Sequence, residues 1–70
     1  MATVNRNDTM RVFRTMRGKL LEKGVRCGLA DSFAMGSVKL YKWCVRRGCT
    51  NPFDFVTSDR RVAHYVEQAR

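Results

Sequence analysis

Apolar residues recur at helical spacing through most of this 70-residue chain. The first periodic segment runs from about Thr9 to Lys23. There Met10, Phe13, Met16, Leu20 and Leu21 fall on one side, with Val12 on its flank. Arg11, Arg14, Lys19 and Glu22 fall on the opposite side, a pattern that predicts an amphipathic helix over 9–23. Asn7, Asp8 and Thr9 all carry side chains suited to capping its start, and Gly24 is placed to end it.

From Cys27 to Arg47 the period stays helical but does not keep one face. Leu29, Ala30, Phe33 and Ala34 form one apolar stripe, and Val38, Leu40, Tyr41, Cys44 and Val45 form another, rotated from the first. Gly36 and Ser37 lie between them, a helix-weakening residue followed by a capping one. A single helix here needs a very wide apolar face and a central glycine. Two short helices, 28–34 and 37–47, joined by a tight turn, account for the residues better.

Gly48 can close the second of these. Asn51-Pro52-Phe53-Asp54 then combines a cap, a first-turn proline and an early acidic residue, a short turn that can stop at Val56. Thr57, Ser58 and Asp59 offer a fresh cap for a last helix over 59–69, with Val62, Tyr65, Val66 and Ala69 as its apolar stripe. Strand-like alternation, repeats and low-complexity tracts are missing from the sequence. The expected fold class is all-α, a single domain over 1–70 built as a compact bundle of three to five short helices. Phe13, Leu20, Phe33, Leu40 and Tyr41 are its expected centre.

A chain this short buries only about 60% of the surface its unfolded form exposes, so a homodimer is expected to supplement its core. The hydrophobic share of 44% is that of a globular protein rather than a disordered one. Fourteen Lys and Arg against six Asp and Glu leave a net charge of +8. Each half of the chain holds seven basic and three acidic residues, so the excess is spread over the whole domain. Such a balance attracts polyanions: nucleic acid first, then an acidic protein surface or an anionic membrane. An odd set of cysteines, Cys27, Cys44 and Cys49, without a C-x-x-C pair, points to a reducing compartment. The opening Met-Ala-Thr-Val-Asn-Arg-Asn-Asp has no apolar stretch of the leader type, and no apolar run approaches the ~20 residues of a membrane span. A cytoplasmic protein with no membrane contact is therefore expected.

The segment from Ala30 to Gly48, Ala-Asp-Ser-Phe-Ala-Met-Gly-Ser-Val-Lys-Leu-Tyr-Lys-Trp-Cys-Val-Arg-Arg-Gly, resembles the helix-turn-helix unit of homeodomain-like transposase subunits and small phage or bacterial regulators. Ala30, Met35, Leu40, Tyr41, Trp43, Arg46 and Arg47 carry the likeness, which covers 19 residues. The chain departs from the pattern at Ala34, where glycine is usual, and at Gly36, where a capping residue is usual. In this arrangement Ala30 marks the helix crossing, Met35 plugs the turn and Trp43 closes the base of the core. The resemblance implies a DNA-binding regulator whose second helix reads the major groove. Ser37, Lys39, Lys42, Arg46 and Arg47 are then the residues turned to double-stranded DNA, with Arg11 and Arg14 adding backbone contacts.

Other chemistries find less support. Cys27, Cys44, Cys49 and His64 are a possible Cys3His set, but the intervening sixteen, four and fourteen residues include only one knuckle-like spacing, and no metal or other cofactor is expected. The scattered carboxylates, a lone His64 and the lack of a phosphate-cradling glycine loop argue against an enzyme. The alternative function is a protein interface. Phe33, Trp43, Phe53, Phe55, Tyr65 and four Met exceed what a small core holds, although Phe33 and Tyr65 themselves are expected inside. A small basic helical protein of this kind also looks like early phage proteins that inhibit a host regulatory protein or enzyme.

Overall fold

Asn5 rather than Asn7, Asp8 or Thr9 opens the first helix. In the computed structural model, which describes residues 5–70, the Asn5 side chain accepts a hydrogen bond from the Asn7 backbone N–H at 2.8 Å. That satisfies one of the donors left free at a helix start. The helix, α1, spans Arg6–Glu22 and so begins ahead of the expected 9–23. Asp8 falls in its first turn, where a carboxylate meets the positive end of the helix dipole. The opening stretch read above as unlike a leader includes residues 1–4, which lie outside the described residues.

Gly24 ends α1 by taking φ 87°. Its N–H bonds the Leu21 carbonyl at 3.0 Å, and the Val25 N–H bonds the Leu20 carbonyl at 3.0 Å. This pair of bonds around a left-handed residue is the Schellman closure. It returns the chain so that Val25 and Leu20 are buried in one apolar cluster.

The segment expected as two helices is one. Helix α2 spans Cys27–Arg47 without a break, and the turn expected at Gly36 and Ser37 is absent. This corrects the separate helices 28–34 and 37–47 and the turn expected between them. The cause is the identity of the buried seam. Ala30, Ala34, Ser37, Tyr41 and Cys44 are all buried at alternating spacings of four and three, with Val38 beside them. That is one continuous stripe along one helix. The larger residues that suggested two rotated stripes sit on its margins: Phe33 and Leu40 are half-buried and Leu29 is exposed. Gly36 costs a helix about 1 kcal/mol relative to Ala, too little to break one that packs along its length. Gly48, with φ 75°, closes α2 as Gly24 closes α1, and the Cys49 N–H bonds the Cys44 carbonyl at 3.0 Å.

A one-turn helix α3, Pro52–Val56, follows Asn51, which takes φ 50° and makes no side-chain cap bond. Ser58 caps α4, Asp59–Ala69, by accepting the Arg61 N–H at 3.3 Å. The described residues therefore form four helical segments and no strand.

Two apolar clusters hold them. Met16, Leu20 and Val25 meet Ala30 and Ala34 of α2 and Val62 and Tyr65 of α4, with Phe33, Val66 and Ala69 packed on the margin. Val12 meets Val38, Tyr41 and Cys44 of α2 and Val56 of α3. Phe13 borders both clusters. Of the expected centre, Leu20 and Tyr41 are buried, whereas Phe13, Phe33 and Leu40 are half-buried. On α1 the inward face is Val12, Met16 and Leu20, so the helix is rotated from the expected stripe, and Met10 and Leu21 are exposed. The small Ala30, Ala34 and Ser37 leave room for the larger α1 side chains opposite, which is why the inward face of α2 looks weakly apolar.

Candidate functional site

Helices α3 and α4 occupy one side of the α1–α2 pair. The Arg11 guanidinium lies over the Phe53 ring of α3, 4.6 Å from its centre. Lys19 donates from Nζ to the Thr57 carbonyl at 2.8 Å, and Phe33 stacks on Tyr65 of α4. Among the described residues, no further helix packs on the other side of the pair.

On that side a groove of about 310 Å³ is lined by Thr9, Met10, Phe13 and Arg14 of α1 and by Met35 and Val38 of α2. Past Thr9 it continues into a depression formed by Arg6, Lys42 and Arg46. Helical geometry explains the arrangement. Arg6, Met10 and Arg14 are four residues apart and rise in one line on α1; Met35, Lys42 and Arg46 are seven and four apart and do the same on α2. The floor is apolar, with Met10 44% and Met35 51% exposed; Arg14 lines the groove itself, and Arg6, Lys42 and Arg46 line the adjoining depression. Among the described residues, no carboxylate lines the groove or the depression. Asp31, on α2, is held by the Arg17 guanidinium, whose own proton affinity that bond raises. None of these four cations is paired with a carboxylate among the described residues.

The residues expected to face DNA divide between surfaces. Lys42, Arg46 and Arg14 line the groove or its extension. Lys39 is exposed on α2 outside that lining. Arg47 is also exposed, and its guanidinium covers the Trp43 ring at 4.9 Å. Arg11 is exposed but spent on Phe53. Ser37 is a correction: it is fully buried, with a hydroxyl that finds no partner, because α2 continues through the expected turn and carries position 37 onto the inward seam. Met35 and Trp43, expected as a turn plug and a core lid, are each 51% exposed for the same reason. Arg6, Met10 and Met35 were missed as members of a site. Their signal was available in the i, i+4, i+8 line of Arg6, Met10 and Arg14, once Met10 is taken off the core face.

The cysteines do not converge. Cys27 and Cys49 are exposed, and Cys44 is fully buried. Burial pushes the Cys44 thiol pKa up, and the neighbouring Cys49 thiol adds to it, against the opposing charge of Arg61. His64 is exposed and its ring nitrogen meets Gln68 at 3.0 Å. Among the described residues, no three His, Cys, Asp or Glu side chains gather as a metal would require. No described helix is long and apolar enough to cross a membrane.

No family model matches the sequence, and no curated protein or solved structure matches it either.

Proposed function

We propose that this protein is a non-catalytic binding module that docks onto a partner protein through the open α1–α2 side. The observation that carries this reading is the groove itself, an apolar floor of Met10, Phe13, Met35 and Val38 bordered by Arg14 and adjoined, past Thr9, by a depression lined with Arg6, Lys42 and Arg46. Apolar side chains exposed beside unpaired cations are the composition of an interface, with Met and Arg the residue types enriched there. This favours the inhibitor-type alternative over the regulator, because phosphate contacts need cations but make no use of an apolar floor.

Duplex DNA is the second reading, and one feature favours it. Lys39, Lys42, Arg46 and Arg47 are all exposed on the last part of α2 with no acidic residue among them. DNA held there contacts backbone phosphate, and its affinity falls about 0.9 log units per log unit of salt for each phosphate neutralised.

Site-specific photo-crosslinking in living cells separates the two. A photoreactive side chain replacing Met35 reports on the groove, and one replacing Trp43 reports on the basic α2 face. A protein adduct at Met35 supports the first reading. A nucleic-acid adduct at Trp43 with nothing at Met35 overturns it in favour of the second.

A further inference from the structure

We infer that the groove's occupant is an acidic amphipathic helix of the partner; the inference rests on the reading that this side docks a protein. Three general ways of holding a peptide compete for the assignment. Strand addition needs a free sheet edge, and the described residues contain no strand. Polyproline recognition needs a groove lined with aromatic rings, and here the lining holds only Phe13, which is half-buried. A helix laid against two helices needs an apolar floor between parallel ridges, which the Arg6–Met10–Arg14 and Met35–Lys42–Arg46 lines provide.

Size and charge narrow the occupant further. Arg6 to Arg14 covers nine residues of α1, roughly 12 Å from first to last at the helical rise. About two turns of a partner helix therefore meet the floor, presenting large apolar side chains at i, i+3 and i+4. Met10 and Met35 are unbranched and can re-pack around such side chains without a preformed socket. Arg14 borders the floor, and Arg6, Lys42 and Arg46 line the depression beyond Thr9, so the partner helix carries Asp or Glu at both ends of its apolar line. A second copy of this chain is the wrong occupant. At +8 overall it brings cations toward cations, and its own carboxylates are few.

The test is selection of random displayed peptides of about 16 residues, roughly four helical turns, on the intact protein. The same selection is run against Met35→Glu, Arg14→Glu and Met35→Leu. Met35 and Arg14 are exposed, and a thermal melt of each variant checks that the fold survives. The expected result is enrichment of peptides with Leu, Met or Phe at helical spacing flanked by Asp and Glu. Their affinity should drop at least about tenfold on Met35→Glu and on Arg14→Glu and be retained by Met35→Leu. A shuffled peptide of identical composition should bind about tenfold more weakly, since charge alone does not set the register. Enrichment of Met35-dependent peptides that are neutral, basic or extended overturns the acidic helix and leaves the docking side standing. Peptides indifferent to both Met35→Glu and Arg14→Glu overturn the docking side as well. A dimer of the chain alone that dissolves on Met35→Glu assigns the groove to a second copy and overturns the inference.

Discussion

Tyr65 of α4 stacks on Phe33 of α2 with ring centres 4.8 Å apart and planes 18° from parallel. The same tyrosine hydroxyl accepts from Arg61 at 2.9 Å and lies beside Gly36 of α2. One residue of the last helix therefore secures it to the middle of the second, at the place where a chain break was expected.

Removing that stack should loosen α4 more than the rest. Phe33 is half-buried, so Phe33→Ala should cost about 2 kcal/mol, below the 3–5 kcal/mol of a fully buried phenylalanine. Urea unfolding followed by circular dichroism measures the total, and hydrogen exchange locates the loss. Fastest new exchange in α1 rather than α4 would contradict the assignment of the stack as the α4 anchor.

Gly36→Ala should stabilise the protein by about 0.5–1 kcal/mol, because the residue lies inside a helix without positive φ. An added Cβ meets the Tyr65 hydroxyl at 3.7 Å, an ordinary contact. Gly36→Pro should cost about 3 kcal/mol or more. A turn at this position would reverse the ranking, so the pair of melting temperatures tests the continuity of α2 directly.

Ser37→Ala should also stabilise, by about 1 kcal/mol. The Ser37 hydroxyl is buried without a protein partner, a state that costs desolvation and returns no bond. Alanine is in addition the better helix former. The substitution should leave any nucleic-acid affinity unchanged, since position 37 reaches no surface. A salt-titrated duplex-binding assay that registers a loss would place Ser37 outside the core.

Alkaline pH should weaken the fold. Burial raises the pKa of the Cys44 thiol and of the Tyr41 hydroxyl. Both groups hold their protons more tightly folded than unfolded. Their stabilisation is therefore complete below the ordinary thiol value of about 8.5. It is lost as pH rises through the folded values of the two groups. Urea midpoints between neutral pH and about pH 10 should fall, and Cys44→Ala should make the decline shallower. A midpoint that rises over this interval would reverse the sign of the linkage.

Local rules already visible in the chain determined where most helices begin and end. Gly24 and Gly48 stop α1 and α2 because each takes the left-handed conformation that glycine tolerates best, and Ser58 starts α4 because its side chain satisfies a free backbone donor. Val62 and Tyr65 were legible as the inward face of α4 because bulky apolar residues there repeat at a clean helical period. Tertiary packing decided the rest. The inward seam of α2 is built from Ala30, Ala34, Ser37 and Cys44, residues too small or polar to signal burial, and they go inside because Met16, Leu20 and Val12 fill the space opposite. That choice merges two expected helices into one, turns Ser37 inward and leaves Met35 and Trp43 exposed. It also brings Arg6, Met10 and Arg14 beside Met35, Lys42 and Arg46, residues far apart along the chain. Their common groove exists only because two helices pack antiparallel, a contact that spacing within either helix cannot encode.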